Sequence, residues 1–293
     1  MFQRALICTD FEDGLYRLVN FVPSLAAAGL RAITFLHVLH LQDDREIPRP
    51  EPEKEQQARD RLSAALANVP EGIDVQIDVQ TGRAADRVLN AIKVHQSDVV
   101  ILGTPMRTRL DELFGSTTRQ ICKQVKIPVL ILRPQLISAY TNEELELRCR
   151  HLFRYLLIPY DGSNSSNYLI EQVKLYAKDR PANSLERCFL SWVVDDVGRR
   201  GLQDVQEYQV QQAESKIASV TAELEMLNLK SESDVLRGSA LAEILNVAIE
   251  KDISAIAISS ESMGKLLEWS VPSFAGELMR QSMHPVLYFP TDE

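Results

Sequence analysis

Short apolar runs alternate along this chain with segments whose apolar residues recur at helical spacing. Arg4–Thr9 is a compact apolar run that stops at Asp10. Leu15, Leu18, Val19, Val22, Leu25 and Ala26 then follow the spacing of a helix over 15–28, in which Pro23 demands a kink or a later start, and Gly29 closes it. Ala32–Leu39 (AITFLHVL) is β-branched and aromatic and reads as a strand. Pro48, Pro50 and Pro52 among charged residues mark an exposed loop over 42–55. An amphipathic helix over Lys54–Ala67, a strand over Val75–Val79, a turn at Gly82 and a helix over Ala85–His95 come next. Val99–Leu102 is a run apolar on both faces, as a covered parallel strand requires, and stops at Gly103. A polar loop leads to Gly115-Ser116-Thr117, where the two hydroxyls can cap a following helix, and Val129–Arg133 is the fifth strand. Strands alternating with helices predict an α/β fold on a parallel sheet.

The pattern then repeats. FQRALICTD at Phe2–Asp10 matches FRYLLIPYD at Phe153–Asp161, an offset of 151. TGRAADRVLNAI at Thr81–Ile92 matches RGSALAEILNVA at Arg237–Ala248, offset 156, and IPVLILRP at Ile127–Pro134 matches HPVLYFPT at His284–Thr291, offset 157. Blocks kept in order at slowly growing offsets indicate one domain duplicated with small insertions. The expected division is a first domain over 1–135, a linker helix within 136–152 and a second domain over 153–293. The linker opens on a capping box, Thr141 with Glu144, and its helix ends near Arg150.

Composition narrows the partners. The 293 residues carry a formal net charge of −9, which argues against nucleic acid or an anionic membrane as the main partner. No apolar run approaches the ~20 residues of a membrane span, and the first residues enter a strand without a signal-peptide pattern. The expectation is a cytoplasmic protein. Cys8, Cys122, Cys149 and Cys188 are dispersed and read as reduced thiols, and the five histidines do not join them at metal-ligand spacing. His37 reads as a satisfied strand histidine, and Asp195, Asp196, Arg199 and Arg200 as an exposed loop. Neither a nucleophile elbow nor a P-loop occurs in the sequence.

The segments IPYDGSNSSNYLIE (158–171), FLHVLH (35–40), the Gly82 turn, ILGT (101–104), GST (115–117) and KIPVLILRP (126–134) together resemble a tandem universal stress protein. The resemblance covers nearly the whole chain. It implies two tandem domains, each an open five-stranded parallel sheet of order 3-2-1-4-5 flanked by helices. It also implies an internal pseudo-dimer through the last strands, with a homodimer of chains as a further possibility. Nucleotide-binding members carry Gly-x-x-Gly-x9-Gly-Ser/Thr after strand four and an Asp after strand one that faces adenine.

Carried over to this chain, Asp10 takes the strand-one position, Val38 the adenine-facing position and Gly103 the first glycine. Met106 stands at the second glycine, and Gly115-Ser116 arrives one residue early, so the loop departs from the motif. A methionine there fills space that the backbone needs to approach a phosphate. Arg107 and Arg109 offer guanidinium forks in compensation. The candidate nucleotide residues are therefore Asp10, Val38, Gly103, Arg107, Gly115, Ser116 and Thr117, with AMP, ADP or ATP as ligand in the first domain. In the second half Ser259, Ser262 and Pro272-Ser273 replace the motif, and no triphosphate is expected. Two readings follow: a non-catalytic stress-response protein acting on a protein partner, or an adenine-nucleotide sensor using the first domain only. ATP hydrolysis ranks last, because no residue stands out as a base.

Overall fold

The computed structural model describes residues 1–12, 14–39, 52–104, 116–195, 203–260 and 273–291. They fall into two compact units, one over Phe2–Leu152 and one over Phe153–Glu293 with Met1. In the first, β1 (Arg4–Cys8), β2 (Ala32–Leu39), β3 (Asp74–Thr81), β4 (Val99–Gly103) and β5 (Val129–Leu132) form a parallel sheet ordered β3-β2-β1-β4-β5. The helices are α1 (Val22–Ala27), α2 (Pro52–Leu62), α3 (Ala84–Val94) and α4 (Ser116–Gln124). The central strands have no solvent face. Leu6, Ile7, Ile33, Phe35, Val100 and Ile101 are fully buried, which is why these runs lack the polar alternation of a half-exposed sheet. Asp98 ties two strand starts together by accepting the backbone N–H groups of Gln3 (2.8 Å) and Arg4 (2.9 Å). Burial nevertheless pushes its carboxyl up from the usual range.

Local chemistry moves some boundaries from those the pattern predicts. Leu15–Phe21 is a 3-10 segment, and the α-helix starts only at Val22, with Pro23 in its first turn. Proline is tolerated there because a first-turn N–H has no helical acceptor. The helix of 54–67 likewise runs Pro52–Leu62 and tightens to 3-10 over Ser63–Leu66. β3 extends to Asp74–Thr81 because the whole of β2 pairs with it.

Two helices follow β5: α5 (Pro134–Ala139), which the pattern did not predict, and α6 (Asn142–Arg150). Thr141 and Glu144 form the expected capping box, the Thr141 hydroxyl accepting from the Glu144 N–H and the Glu144 carboxylate from the Thr141 N–H at 2.8 Å. Both helices belong to the first unit. Arg17 donates to the carbonyls of Ile137 and Tyr140 and to Asn142 Oδ1, so one guanidinium holds the end of α5 and the start of α6. Ile137, Leu145, Cys149 and Leu152 are buried.

The second unit repeats the architecture. Its strands are β6 (Tyr155–Pro159), β7 (Arg187–Val194), β8 (Lys230–Arg237), β9 (Ala255–Ser260) and β10 (Val286–Pro290), in the order β8-β7-β6-β9-β10. Numbered within the unit this is again 3-2-1-4-5. Helices α7 (Asn164–Lys178), α8 (Gln203–Glu225), α9 (Ala240–Glu250) and α10 (Phe274–Gln281) complete it. Gly82 and Gly238, 156 residues apart, share a φ of 147° and 144° after the third strand of each unit.

Candidate functional site

In an open α/β sheet a ligand collects beyond the carboxyl ends of the strands where the order reverses, here between β1 and β4. Register brings three of the candidate residues to that edge. Cys8 pairs with Leu36, so Asp10 lies level with Val38; Ile7 pairs with Ile101, so Thr9 lies level with Gly103. Asp10 is exposed, and its Oδ1 accepts the Glu12 N–H at 2.8 Å, closing a tight turn on the carboxylate. Val38 and Gly103 are half-buried. Ser116 and Thr117 are the first two residues of α4, whose amino terminus returns to the same edge by the parallel topology. Arg107 and Gly115, like Met106 and Arg109, lie outside the described residues.

Thr104, next to Gly103, was not singled out from sequence. Its N–H donates to Leu132 O at 3.1 Å, its side chain is buried, and its Oγ1 has no hydrogen-bond partner among the described residues. A buried hydroxyl without a partner costs about 1–3 kcal/mol. His37 is buried as a strand histidine with its Nδ1–H donating to the Thr9 carbonyl at 2.8 Å. Phe11, at a left-handed φ of 68°, lays its ring against this imidazole with centroids 4.2 Å apart. His40 falls outside the described residues, as do Asp196, Arg199 and Arg200, while Asp195 is exposed and gives its carbonyl to Gln206 Nε2.

The second unit answers the same positions differently. Asp161 Oδ1 accepts the Ser163 N–H at 2.9 Å, repeating the turn of Asp10. Burial pushes the Asp161 carboxyl up, but hydrogen bonds from Ser163 and Ser166 outweigh it and hold the group below its usual range. Trp192 occupies the position of His37, and Gly162 that of Phe11. A Cβ on Gly162 would lie 3.1 Å from Trp192 Cη2, so the indole fills the space that a ring takes in the first unit. Ser259, at the place of Gly103, donates its hydroxyl to Phe289 O at 2.8 Å. Ser273 caps α10 by accepting the Gly276 N–H at 3.2 Å. Repeat alignment carried a usable signal for these exchanges, since a glycine opposite a phenylalanine after strand one hints at a positive φ in both.

Among the described residues no group of His, Cys, Asp and Glu is placed to hold a metal ion, and no helix is long and apolar enough to cross a membrane. Among the described residues Cys8, Cys122, Cys149 and Cys188 form no disulfide, and burial pushes the last three thiols up to about 12, leaving almost no thiolate at neutral pH.

The fold defines a tandem, doubly wound α/β protein. The sequence model of the universal stress protein family matches residues 1–133 and 153–290, and the chain belongs to that family. A universal stress protein from Archaeoglobus fulgidus DSM 4304 is similar over 98% of both chains, at 17% identity and a TM-score of 0.67. A functionally unknown protein from Pseudomonas aeruginosa PAO1 covers 99% of this chain with 93% of its own, at 12% identity and a TM-score of 0.61. A putative universal stress protein from Pseudomonas aeruginosa UCBPP-PA14 covers 98% with 93% of its own, at 11% and 0.57. At such identities these likenesses speak to fold alone. Comparison with curated proteins finds no match.

Proposed function

We propose that this chain is a non-catalytic stress-response protein of the universal stress family that acts in the cytoplasm by binding a protein partner, with nucleotide binding weakened in the first unit and lost in the second. The observation that carries this reading is the occupation of the second unit's phosphate side by its own groups. Ser259 places a side chain where glycine would leave space and commits its hydroxyl to Phe289 O, and Ser273 already accepts a first-turn N–H of α10. In the first unit Met106 stands at a motif glycine, and the Asp10 carboxylate accepts the Glu12 N–H.

A second reading, an adenine-nucleotide sensor working through the first unit, is favoured by the contrast at one strand end. Gly103 leaves room there, and the neighbouring Thr104 hydroxyl lacks a partner among the described residues. Calorimetric titration of the full chain with AMP, ADP and ATP separates the two. Losing two charge-assisted contacts costs about 3–6 kcal/mol, roughly two to four decades of affinity, so the expected result is weak or undetectable binding that Met106→Gly strengthens, and no phosphate release above a blank. Tight ATP binding by the unaltered chain overturns the first reading; no detectable binding by either protein removes the second.

A further inference from the structure

Duplication has changed the character of one helix surface. At the offset of 156, α3 of the first unit aligns with α9 of the second. Ile244 and Val247 of α9 are buried within its unit, as Val88 and Ala91 of α3 are in theirs. The flank beside that core face differs. Ala85, Asp86, Leu89 and Lys93 of α3 correspond to Leu241, Ala242, Leu245 and Ile249 of α9. Asp86 and Lys93 are exposed, so two positions that carry charge into water in the first unit are apolar in the second. Leu241, Leu245 and Ile249 recur at i, i+4 and i+8 and form one stripe down the helix. The first two are half-buried, and Ile249 is 72% exposed. α10 packs beside α9 and adds the exposed Phe274 at its start and Met283 just past its end. A single exposed isoleucine is ordinary, but a stripe that has exchanged charges for apolar side chains marks a contact surface.

Charge at the two ends of the stripe selects what fits it. Arg237 is exposed just before α9, Glu250 is exposed at the end of the helix, and the exposed Asp252 follows. None of the three makes an ion pair among the described residues. Lys251, between the two acids, is already taken up, its Nζ lying 3.7 Å from Glu232 Oε2 and 4.7 Å from the Phe189 ring centroid. The stripe therefore begins on a free cation and ends on two free anions. A surface of that polarity complements itself when it is turned end for end, which is what a twofold axis does.

We propose that this flank of α9 is a contact between two copies of the chain, with the two α9 helices antiparallel about a twofold axis at Leu245. Leu245 then meets its own counterpart, and Leu241 of each copy meets Ile249 of the other. Arg237 of each copy comes beside Glu250 and Asp252 of the other, so every end pair occurs twice. Burial of the stripe supplies the affinity, and the end charges set the orientation. The net charge of −9 on each chain opposes association, but at physiological salt it is screened beyond about 8 Å, whereas the end pairs act at contact. The inference goes beyond the proposed function and involves neither the strand-end edge nor a foreign protein.

The test is sedimentation velocity of the full chain at physiological salt over roughly a hundredfold range of chain concentration. The sedimentation coefficient is expected to climb from that of a monomer to that of a dimer. Ile249→Lys, which installs the residue type of the first unit, should weaken the dimer about tenfold or more, and Arg237→Glu about tenfold. Adding Glu250→Lys and Asp252→Lys to Arg237→Glu reverses both ends and should restore association, as antiparallel pairing requires. All four side chains are exposed, so the far-ultraviolet dichroism of each variant should match the wild type, which separates a lost contact from a lost fold. A monomer at every concentration overturns the proposal. So does a dimer that Ile249→Lys leaves unchanged, since it would use another surface, and so does a charge reversal that fails to restore association. Tight ATP binding by a chain that pairs through Ile249 would defeat the ligand-poor reading and keep this one.

Discussion

At the scale of single residues, the two units solve one packing problem in opposite ways. After the first strand of each, the chain turns through a left-handed residue, Phe11 at φ 68° and Gly162 at φ 74°. In the first unit the turning residue supplies the ring; in the second it must supply nothing, because Trp192 already fills the space. Gly162→Ala should therefore lower stability by about 1–2 kcal/mol from the backbone alone, with more from the 3.1 Å approach to the indole. A urea titration followed by far-ultraviolet dichroism reads the change, and an unaltered midpoint would refute the packing argument. One residue earlier, Asp161 has a folded-state pKa below its ordinary value. Its stabilisation is present above the ordinary aspartate pKa of about 3.9 and disappears as pH falls through the lower folded value. Asp161→Asn is expected to flatten the acid limb of the urea midpoint below about pH 4 and to cost stability at neutral pH. A limb as steep as the wild type's would mean that other carboxylates govern it.

At the scale of elements, what could be read from sequence follows from where each run is buried. The central strands were legible because both faces are covered, which leaves short apolar runs with sharp ends such as Gly103. The edge strand β3 was read too short, since Asp74, Gln80 and Thr81 are polar and only pairing with β2 draws them into the ladder. α5 escaped notice because six residues are too few to show a helical period. In the site, Asp10, Val38 and Gly103 could be placed from the motif, whereas the Thr104 hydroxyl, without a partner among the described residues, depends on how segments far apart in the chain come together. Arg17 acts at the same scale, as the clasp between the 3-10 segment and the α5–α6 pair. Charge-assisted bonds to carbonyls of this kind contribute about 1.5–3 kcal/mol each where they are sheltered. Arg17→Ala should hasten hydrogen exchange of the amides over 136–150 by at least an order of magnitude while β1 and β4 keep their protection. Uniform loss of protection across the unit would show instead that the clasp supports the whole core.

For the molecule as a whole, duplication preserved the sheet order and the glycine after the third strand while the strand-end edges diverged. Ser259 stands at the repeat position of Gly103, and Trp192 at that of His37, so each unit kept the scaffold and rewrote the chemistry at its strand ends. Sequence similarity between the halves reports the first kind of position and is silent on the second. That is why the fold was easier to read than the site.

The docked α5–α6 pair bears on how the chain is made. The family pattern stops at residue 133 and resumes at 153, yet Leu145, Cys149 and Leu152 are buried within the first unit. A nascent chain that has emerged only as far as β5 therefore still lacks part of its apolar cover. Nearly twenty further residues must emerge before the amino-terminal unit can close, and by then the second unit is already under synthesis. The interval in which that exposed surface awaits its cover is the stage of synthesis at which a chaperone has most reason to hold this protein.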